Sequence, residues 1–306
     1  MTAATGSAVP SARAHAEPSG ARPKRLTMGR IGLYLFLLLS AAFFLLPLWV
    51  MVITSLKTMP EIRVGNIFAL PQTFNLDAWA RAWDTACTGL DCDGIKVGFW
   101  NSVKIVVPSV VVSVAAAAWT GYALSFWRPR GAQLLFGFLL IGAFIPYQVF
   151  IYPLVRMFSA VGLYGTVPGI VIVHTVFGLP ILTLLFRNYY VGLPIELFKA
   201  ARIDGANYFQ IFWLVMLPLS TPVLVVATIL QSASIWNDFL FGLIFAGQDN
   251  WPMTVQLNNI VGSTFGEKEY NVNMAATMLT ALVPLAVYFV SGRWFVRGIA
   301  AGAVKG

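Results

Sequence analysis

The chain has 306 residues, of which 58% are hydrophobic and 10% are charged, and its formal net charge is +8. A soluble globular domain carries about 25% charged residues, so this composition argues against a soluble domain and predicts a membrane protein. The basic residues flank apolar stretches, which is typical of orientation in a bilayer and argues against a nucleic-acid partner. The sequence lacks a Gly-rich phosphate loop ending in Gly-Lys-Ser/Thr, so we expect neither ATP hydrolysis nor any catalytic or metal-binding residue in this chain.

The first 23 residues are rich in Ala, Ser, Gly and Pro, and this composition predicts a disordered tail. Residues 24–306 follow as one predicted membrane domain. A bilayer crossing needs about 20 apolar residues, and six stretches meet or approach that length. We therefore predict an all-α membrane protein with six transmembrane helices. The predicted spans are 31–55, 105–127, 131–155, 167–186, 217–246 and 273–292.

The distribution of Lys and Arg predicts the orientation of these spans. With the N-terminus inside, the segments before the first span, after the second, after the fourth and after the sixth hold most of the 20 basic residues. The positive-inside rule then places both termini, the loop 188–216 and the tail 293–306 in the cytoplasm. The loop 57–99 is correspondingly extracytoplasmic. The predicted location is the bacterial cell (inner) membrane, crossed several times.

The predicted extracytoplasmic loop 57–99 contains the two cysteines of the chain, Cys87 and Cys92. They are close enough in sequence for a local disulfide, and the outer side of the membrane is oxidising. Two free thiols are the alternative, and the sequence leaves both open.

The loop 188–216 is the one long segment that is neither an apolar span nor a polar tail. Pro194 and Glu196 suit the first turn of a helix, because proline needs no helical N–H partner there and a carboxylate favours the positive end of the helix dipole. Gly205 predicts the end of this helix, and a second helix starts at about Asn207. Two short helices between membrane spans favour a docking element, with an ordinary amphipathic connector as the alternative.

The spacing within this loop resembles the signature of permease subunits of ABC importers. In words, the signature is Glu-Ala-Ala, three residues, Gly, nine residues, Ile, one residue and Leu-Pro. Here Lys199 stands in the place of the glutamate, which reverses a charge, and Val215 in the place of the isoleucine. The matching residues are Ala200, Ala201, Gly205, Leu217 and Pro218.

The resemblance is closest to carbohydrate importers of the maltose type. The phrase ELFKAARIDGA at 196–206 looks like the version found in that family, and the similarity runs from about residue 101 to the C-terminus. It includes WNDFL at 236–240 and the tail RWFVRGIAAGAVKG at 293–306. Within the family, the chain looks closest to the glucose/mannose branch.

This resemblance implies the type I ABC importer permease fold and a role as one permease subunit of an ATP-driven sugar importer. The implied partners are a sister permease forming a heterodimer, a dimer of ATPase subunits, an extracytoplasmic solute-binding protein, the sugar and membrane lipid. ATP and Mg are used by the partner ATPase, and no cofactor is expected in this chain. The tail 293–306 is expected to contact the ATPase dimer. The residues expected to couple to the ATPase are Glu196, Lys199, Ala200, Ala201, Asp204 and Gly205.

Polar and aromatic residues within the predicted spans mark a candidate sugar path, because ionisable groups in a bilayer are costly and often functional. Aromatic rings stack on the CH faces of sugars, and amides bond their hydroxyls. The predicted path residues are Tyr147, Gln148, Tyr152, Gln231, Trp236, Asn237 and Asp238. An interfacial aromatic belt explains the tyrosines equally well, and a helix end near the outer interface explains Asp238 equally well.

His174 lies in the fourth predicted span with no carboxylate near it in sequence, so we interpret it as a hydrogen-bonded packing residue. Two alternative functions remain. One is an importer permease for a non-sugar solute, and the other is an ion-coupled secondary carrier that uses Asp238 and His174. The sequence shows no inverted repeat, which counts against a secondary carrier.

Overall fold

The computed structural model describes residues 27–88, 91–127, 130–262 and 267–303, with side chains described up to Gly292. Within these ranges the regular secondary structure is entirely helical, which confirms the all-α prediction. The predicted disordered tail 1–23 lies outside the described residues. So do the side chains of the C-terminal tail 293–306, whose predicted ATPase contact therefore stays a prediction.

The helices follow in chain order. They are α1 Met28–Ser55, α2 Met59–Val64, α3 Asp77–Asp84, α4 Lys96–Tyr122, α5 Ala132–Phe144, α6 Gln148–Ala160, α7 Val167–Val191, α8 Ile195–Ile203, α9 Tyr208–Ile211, α10 Leu217–Leu219, α11 Thr221–Trp236, α12 Leu240–Phe245, α13 Met253–Gly262 and α14 Tyr270–Ala303. A π-helical turn, Ala123–Trp127, continues α4, and a second, Phe212–Met216, joins α9 to α10.

The chain divides into two compact units, residues 1–49 and 50–306. The described part of the first unit is the apolar helical stretch 28–49, whose side chains are mostly exposed. The second unit contains all the other helices and both hydrophobic core clusters. All sites discussed below lie within this second unit.

By length and composition, four described helices can cross a membrane, and the number rises to six if each of two bent helix pairs counts as one span. The predicted span 131–155 is formed by two helices, because α5 and α6 meet at 107°. Pro146 explains the break, since a proline disfavours helical geometry in the residue before it, and Ile145 is extended.

The predicted span 217–246 is also interrupted. The chain from α9 to α10 meets α11 at 78°, at Ser220 between Pro218 and Pro222. At its other end α11 stops at Trp236, and α12 starts only at Leu240. This run of apolar residues therefore contains two helix breaks, one of which changes the direction of the chain.

The centre of the second unit is the long pairing of α4 with α7. Gly121 permits this approach near one end, because a Cβ there would lie 2.7 Å from Phe186 Cβ. A core cluster of buried residues surrounds this pairing, and a separate cluster forms where α3, α13 and α14 meet the start of α4. The structure also contains a disulfide between Cys87 and Cys92, in agreement with the disulfide alternative.

Candidate transport path and docking loop

A cavity of about 880 Å³ lies among α5, α6, α7, α11 and α12. Pockets of about 300–1,000 Å³ accommodate small molecules. Most of the wall is apolar, and Tyr147, Phe177 and Phe241 form one aromatic side of it, with ring centroids 4.9 to 6.3 Å apart. The polar lining residues are His174, Gln231, Ser234, Asn237 and Asp238.

Asp238 lies in the break between α11 and α12. Its carboxylate accepts hydrogen bonds from the backbone N–H of Gly242 at 2.9 Å and of Phe241 at 3.4 Å, so it caps the first turn of α12. Its backbone carbonyl accepts from the hydroxyl of Thr254 at 2.6 Å. Asp238 therefore occupies a helix end and lines the cavity at the same time.

His174 has an acidic neighbour in space, although none lies near it in sequence. His174 Nε2 lies 4.0 Å from Asp238 Oδ2, and the two side chains are 7% and 16% exposed. The histidine ring also contacts the edge of Phe241, with centroids 5.8 Å apart. Because the two residues are distant in sequence, only the packing of α7 against the α11–α12 break reveals the pair.

Gln231 extends this polar group onto α11. Its Nε2 donates to the backbone carbonyl of His174 at 3.3 Å. Gly178 makes room for the amide, because a Cβ at that position would lie 2.4 Å from Gln231 Nε2. The polar side of the cavity is thus closely packed where α7 meets α11.

The structure brings four of the seven predicted path residues to this cavity, namely Tyr147, Gln231, Asn237 and Asp238. Gln148 and Tyr152 are exposed on α6 and do not line it. Trp236 is buried away from the cavity, where its Nε1 donates to the backbone carbonyl of Thr280 on α14 at 3.2 Å. His174 and Phe177 also line the cavity. Neither was predicted to do so, because neither has a local sequence signal that distinguishes a cavity-lining residue from a packing residue.

The docking loop has the helix boundaries that its sequence predicts. The helix α8 follows Pro194, carries Glu196 in its first turn, and ends at Ile203, two residues before Gly205 with its φ of +83°. Asn207 and Gln210 then cap α9 reciprocally, since each side chain accepts from the other residue's backbone N–H. The boundaries of α8 and α9 are therefore determined by residues within the loop itself.

The helix α8 contains no residue classed as buried among the described residues. Of the predicted coupling residues, Ala201 is partly buried, whereas the other five are exposed: Glu196, Lys199, Ala200, Asp204 and Gly205. The inner side of α8 rests on aromatic rings, because Phe198 stacks on Phe126 with centroids 4.9 Å apart. One face of α8 is thus attached to the bundle, and the other is available to a partner.

Comparison with known proteins supplies the family. Residues 109–303 match the family described as "Binding-protein-dependent transport system inner membrane component". The probable ABC transporter permease protein PH1216 of Pyrococcus horikoshii is 35% identical to this chain, over 92% of this chain and 100% of that protein.

Two further relatives have names that state what they transport. The alpha-glucoside transport system permease protein AglG of Rhizobium meliloti is 38% identical over 83% of this chain and 67% of that protein. The arabinooligosaccharides transport system permease protein AraQ of Halalkalibacterium halodurans is 31% identical over 92% of this chain and 96% of that protein.

A solved structure supports the fold. A chain of a bacterial ABC transporter involved in the import of the acidic polysaccharide alginate matches with a TM-score of 0.72 and 22% identity, covering 90% of this chain and 99% of that chain. From these matches, this chain belongs to the binding-protein-dependent inner membrane components of ABC transporters, permease subunits that work with a separate ATPase and a solute-binding protein.

Proposed function

We propose that this chain lines the translocation path of a sugar importer, with glucose, mannose or a small oligosaccharide as cargo, and that α8 couples the path to the ATPase. The observation that carries the proposal is the cavity, in which an aromatic wall faces amide and carboxylate groups. Relatives named for alpha-glucoside and arabinooligosaccharide transport support a sugar as the cargo.

The chemistry of the cavity suits a sugar. The rings of Tyr147, Phe177 and Phe241 offer apolar faces for the CH surface of a pyranose. On the other side, Gln231 and Asn237 can both donate to and accept from hydroxyl groups. This combination offers a neutral polyol both apolar stacking surfaces and hydrogen-bonding partners.

Two kinds of partner subunit complete the proposed importer. In this proposal α8 and both termini are cytoplasmic, and α8 docks on an ATPase that binds ATP and Mg. The residues Glu196, Lys199, Ala200, Ala201, Asp204 and Gly205 form or orient the docking surface. A sister permease completes a heterodimer and closes the path, since this chain supplies up to six spans among its described residues.

Reconstitution tests the proposal. The complex, purified through a tag on this chain, should import a labelled sugar from a panel of hexoses and small oligosaccharides in proteoliposomes. Uptake should require ATP inside and the binding protein outside, and an uncoupler should leave it unchanged. ATP-dependent import of another solute class, with all sugars excluded, would contradict the sugar assignment. Uptake by this chain alone that an uncoupler abolishes would instead identify a secondary carrier.

Asp238→Asn tests the position of the path in the same assay. The change keeps the shape of the side chain and one acceptor for the cap of α12, but it removes the charge beside His174. We expect lower uptake with unchanged assembly. Asp249→Asn is the matched control, because Asp249 is exposed and does not line the cavity. Equal uptake in the two variants would remove Asp238 from the path.

A further inference from the structure

Five aromatic side chains connect the docking loop to the end of α4. We call them the aromatic joint: Tyr122, Phe126 and Trp127 at the end of α4, with Phe198 on α8 and Tyr208 on α9. Phe126 stacks on Phe198, and the ring of Trp127 lies 5.2 Å from that of Tyr208. Tyr122 lies 5.0 Å from Tyr208, so both helices of the loop contact the same end of α4.

A hydrogen-bonded chain runs through the centre of the aromatic joint. The indole Nε1 of Trp127 donates to the hydroxyl of Tyr122 at 2.7 Å, and that hydroxyl donates to the backbone carbonyl of Tyr208 at 3.1 Å. Tyr122 is fully buried. A buried hydroxyl is costly without partners. This one accepts from Trp127 within its own helical element, and its donated bond to Tyr208 ties the loop to α4.

Both elements that meet at the aromatic joint contain a π-helical turn, Ala123–Trp127 after α4 and Phe212–Met216 after α9. Such turns are rare in proteins, and those that occur are often found at functional sites. The extra residue in a π turn changes the direction of the side chains that follow it. The first turn therefore sets the directions in which Phe126 and Trp127 meet the loop.

The end of α4 is also packed closely on α7, where Gly121 lies against Phe186. Further along α7, His174 and Gly178 belong to the cavity wall. A continuous series of packed contacts thus runs from α8 through the aromatic joint to α4, then to α7 and the cavity. Close packing transmits displacement because interiors have few voids.

We propose that Tyr122 and Trp127 are positioning residues that make α8 and α9 move with α4 as one body. When the ATPase displaces α8, the aromatic joint carries that displacement to α7 and the cavity. This proposal rests on the proposed function, in that it assigns to the same importer the residues that hold the docking loop in register with the path.

Tyr122→Phe tests the proposal, because it keeps the ring contacts and removes both hydrogen bonds. The readout is the amount of sugar imported per ATP hydrolysed by the reconstituted complex. We expect this ratio to fall roughly fivefold, as the loss of the one ordinary hydrogen bond between α4 and the loop would produce. The ATPase should remain bound and active.

Ser102→Ala is the matched control on the same helix. Ser102 is also buried, and its hydroxyl accepts from the backbone N–H of Met253 at 2.8 Å, at the opposite end of α4. A loss of general stability would affect both variants alike. We expect the ratio to be unchanged in Ser102→Ala, and equal ratios in Tyr122→Phe and Ser102→Ala would overturn the proposal.

Hydrogen exchange gives a second measurement that does not depend on the cargo. Backbone amides in 195–211 should exchange several-fold faster in Tyr122→Phe and in Trp127→Phe than in the wild type. The double variant should be no faster than Tyr122→Phe, because that change already removes both hydrogen bonds. Unchanged exchange, or additive effects, would overturn the proposal. If Tyr122→Phe does not assemble, Trp127→Phe carries both measurements.

The two measurements separate this proposal from the proposed function. If the wild-type complex imports no sugar, the proposed function fails, and hydrogen exchange alone decides whether the aromatic joint holds the loop. If the wild type imports sugar and Tyr122→Phe has the wild-type ratio, the aromatic joint has no positioning role and the proposed function stands.

Discussion

The two ends of the helical bundle differ in what holds their elements together. At the end that contains the disulfide, buried amide side chains bond across elements. Asn101 donates to the backbone carbonyls of Asp249 and Trp251, and Gln256 accepts from the backbone N–H of Gly98 at 2.7 Å. At the other end, α8 has no buried residue among those described and is held on one side by aromatic contacts.

This difference indicates how each end is stabilised. The disulfide end buries polar groups that bond within the chain, and it pairs Arg63 with Glu267 and Lys96 with Asp84. Both ends expose single apolar residues, Val64 at 91% on α2 and Ile203 at 85% on α8. Such residues are ordinary, but Ile203 lies on the segment that resembles a docking helix. We therefore expect substitutions at the two ends to fail in different assays.

The largest expected effect is at Gly205. Its φ of +83° is costly for a β-branched residue, and no described atom lies within 4 Å of a Cβ placed there. Gly205→Val should strain the backbone by about 1–3 kcal/mol and reduce the ATPase recovered with this chain by about tenfold at that cost. Gly205→Asn is the control, because asparagine tolerates positive φ. ATPase co-purification measures both, and equal recovery in the two variants would contradict a role for this turn.

At the disulfide end, Gly98→Ala should reduce stability rather than coupling. A Cβ there would lie 2.6 Å from Gln256 Oε1 and 2.9 Å from Met253 Cα. Overpacking of this kind costs up to about 3 kcal/mol, and thermal unfolding of the purified chain in detergent measures it. Gly142→Ala is the control, since no described atom lies within 4 Å of its Cβ. A normal unfolding temperature for Gly98→Ala would show that this end is less rigid than we infer.

The disulfide should contribute less. Cys87 and Cys92 close a short loop, for which the chain-entropy estimate is about 2 kcal/mol. Cys87→Ser with Cys92→Ser should lower the unfolding temperature by a few degrees and leave ATPase recovery unchanged. In intact wild-type membranes, thiol reagents should label the chain only after reduction. Labelling without reduction would show that the two thiols are free.

Much of the fold could be predicted because apolar length and local signals encode it. The predicted spans 31–55, 105–127, 167–186 and 273–292 each fall on one long helix. The boundaries of α8 were predictable because Pro194 and Gly205 act through their own backbone geometry. The bends in the spans 131–155 and 217–246 were not predicted, because hydropathy depends on composition and carries no information about the direction of the helix axis.

The candidate cavity was predictable only in part. Polarity within a span identified Gln231, Asn237 and Asp238, because such groups are costly there. Polarity does not specify which way a side chain points at a helix end, so Trp236 was grouped with them although it is buried away from the cavity. The pairing of His174 with Asp238 depends on tertiary packing.

The smallest expected effect concerns the pH dependence of the disulfide end. Glu61 caps α2, and its carboxylate accepts hydrogen bonds from the backbone N–H of Thr58 at 2.9 Å and of Gln72 at 3.0 Å. The Thr58 bond is the main cause that holds the pKa of Glu61 below its ordinary value, and the Gln72 bond adds to it. Because the folded pKa is lowered, this carboxylate stabilises the fold above its unfolded pKa, and the contribution is lost as pH falls through the folded pKa.

Glu61→Gln should therefore flatten the acid limb of a plot of unfolding temperature against pH, below about pH 5, and change little at neutral pH. The effect should be small because the carboxylate is at the surface. Thr58→Ala is the control, since it removes only the hydroxyl bond to Glu61 and retains both backbone donors. It should keep most of the wild-type slope. If Glu61→Gln shows the full wild-type slope instead, other carboxylates determine the acid response, and the cap of α2 adds nothing to the difference between the two ends.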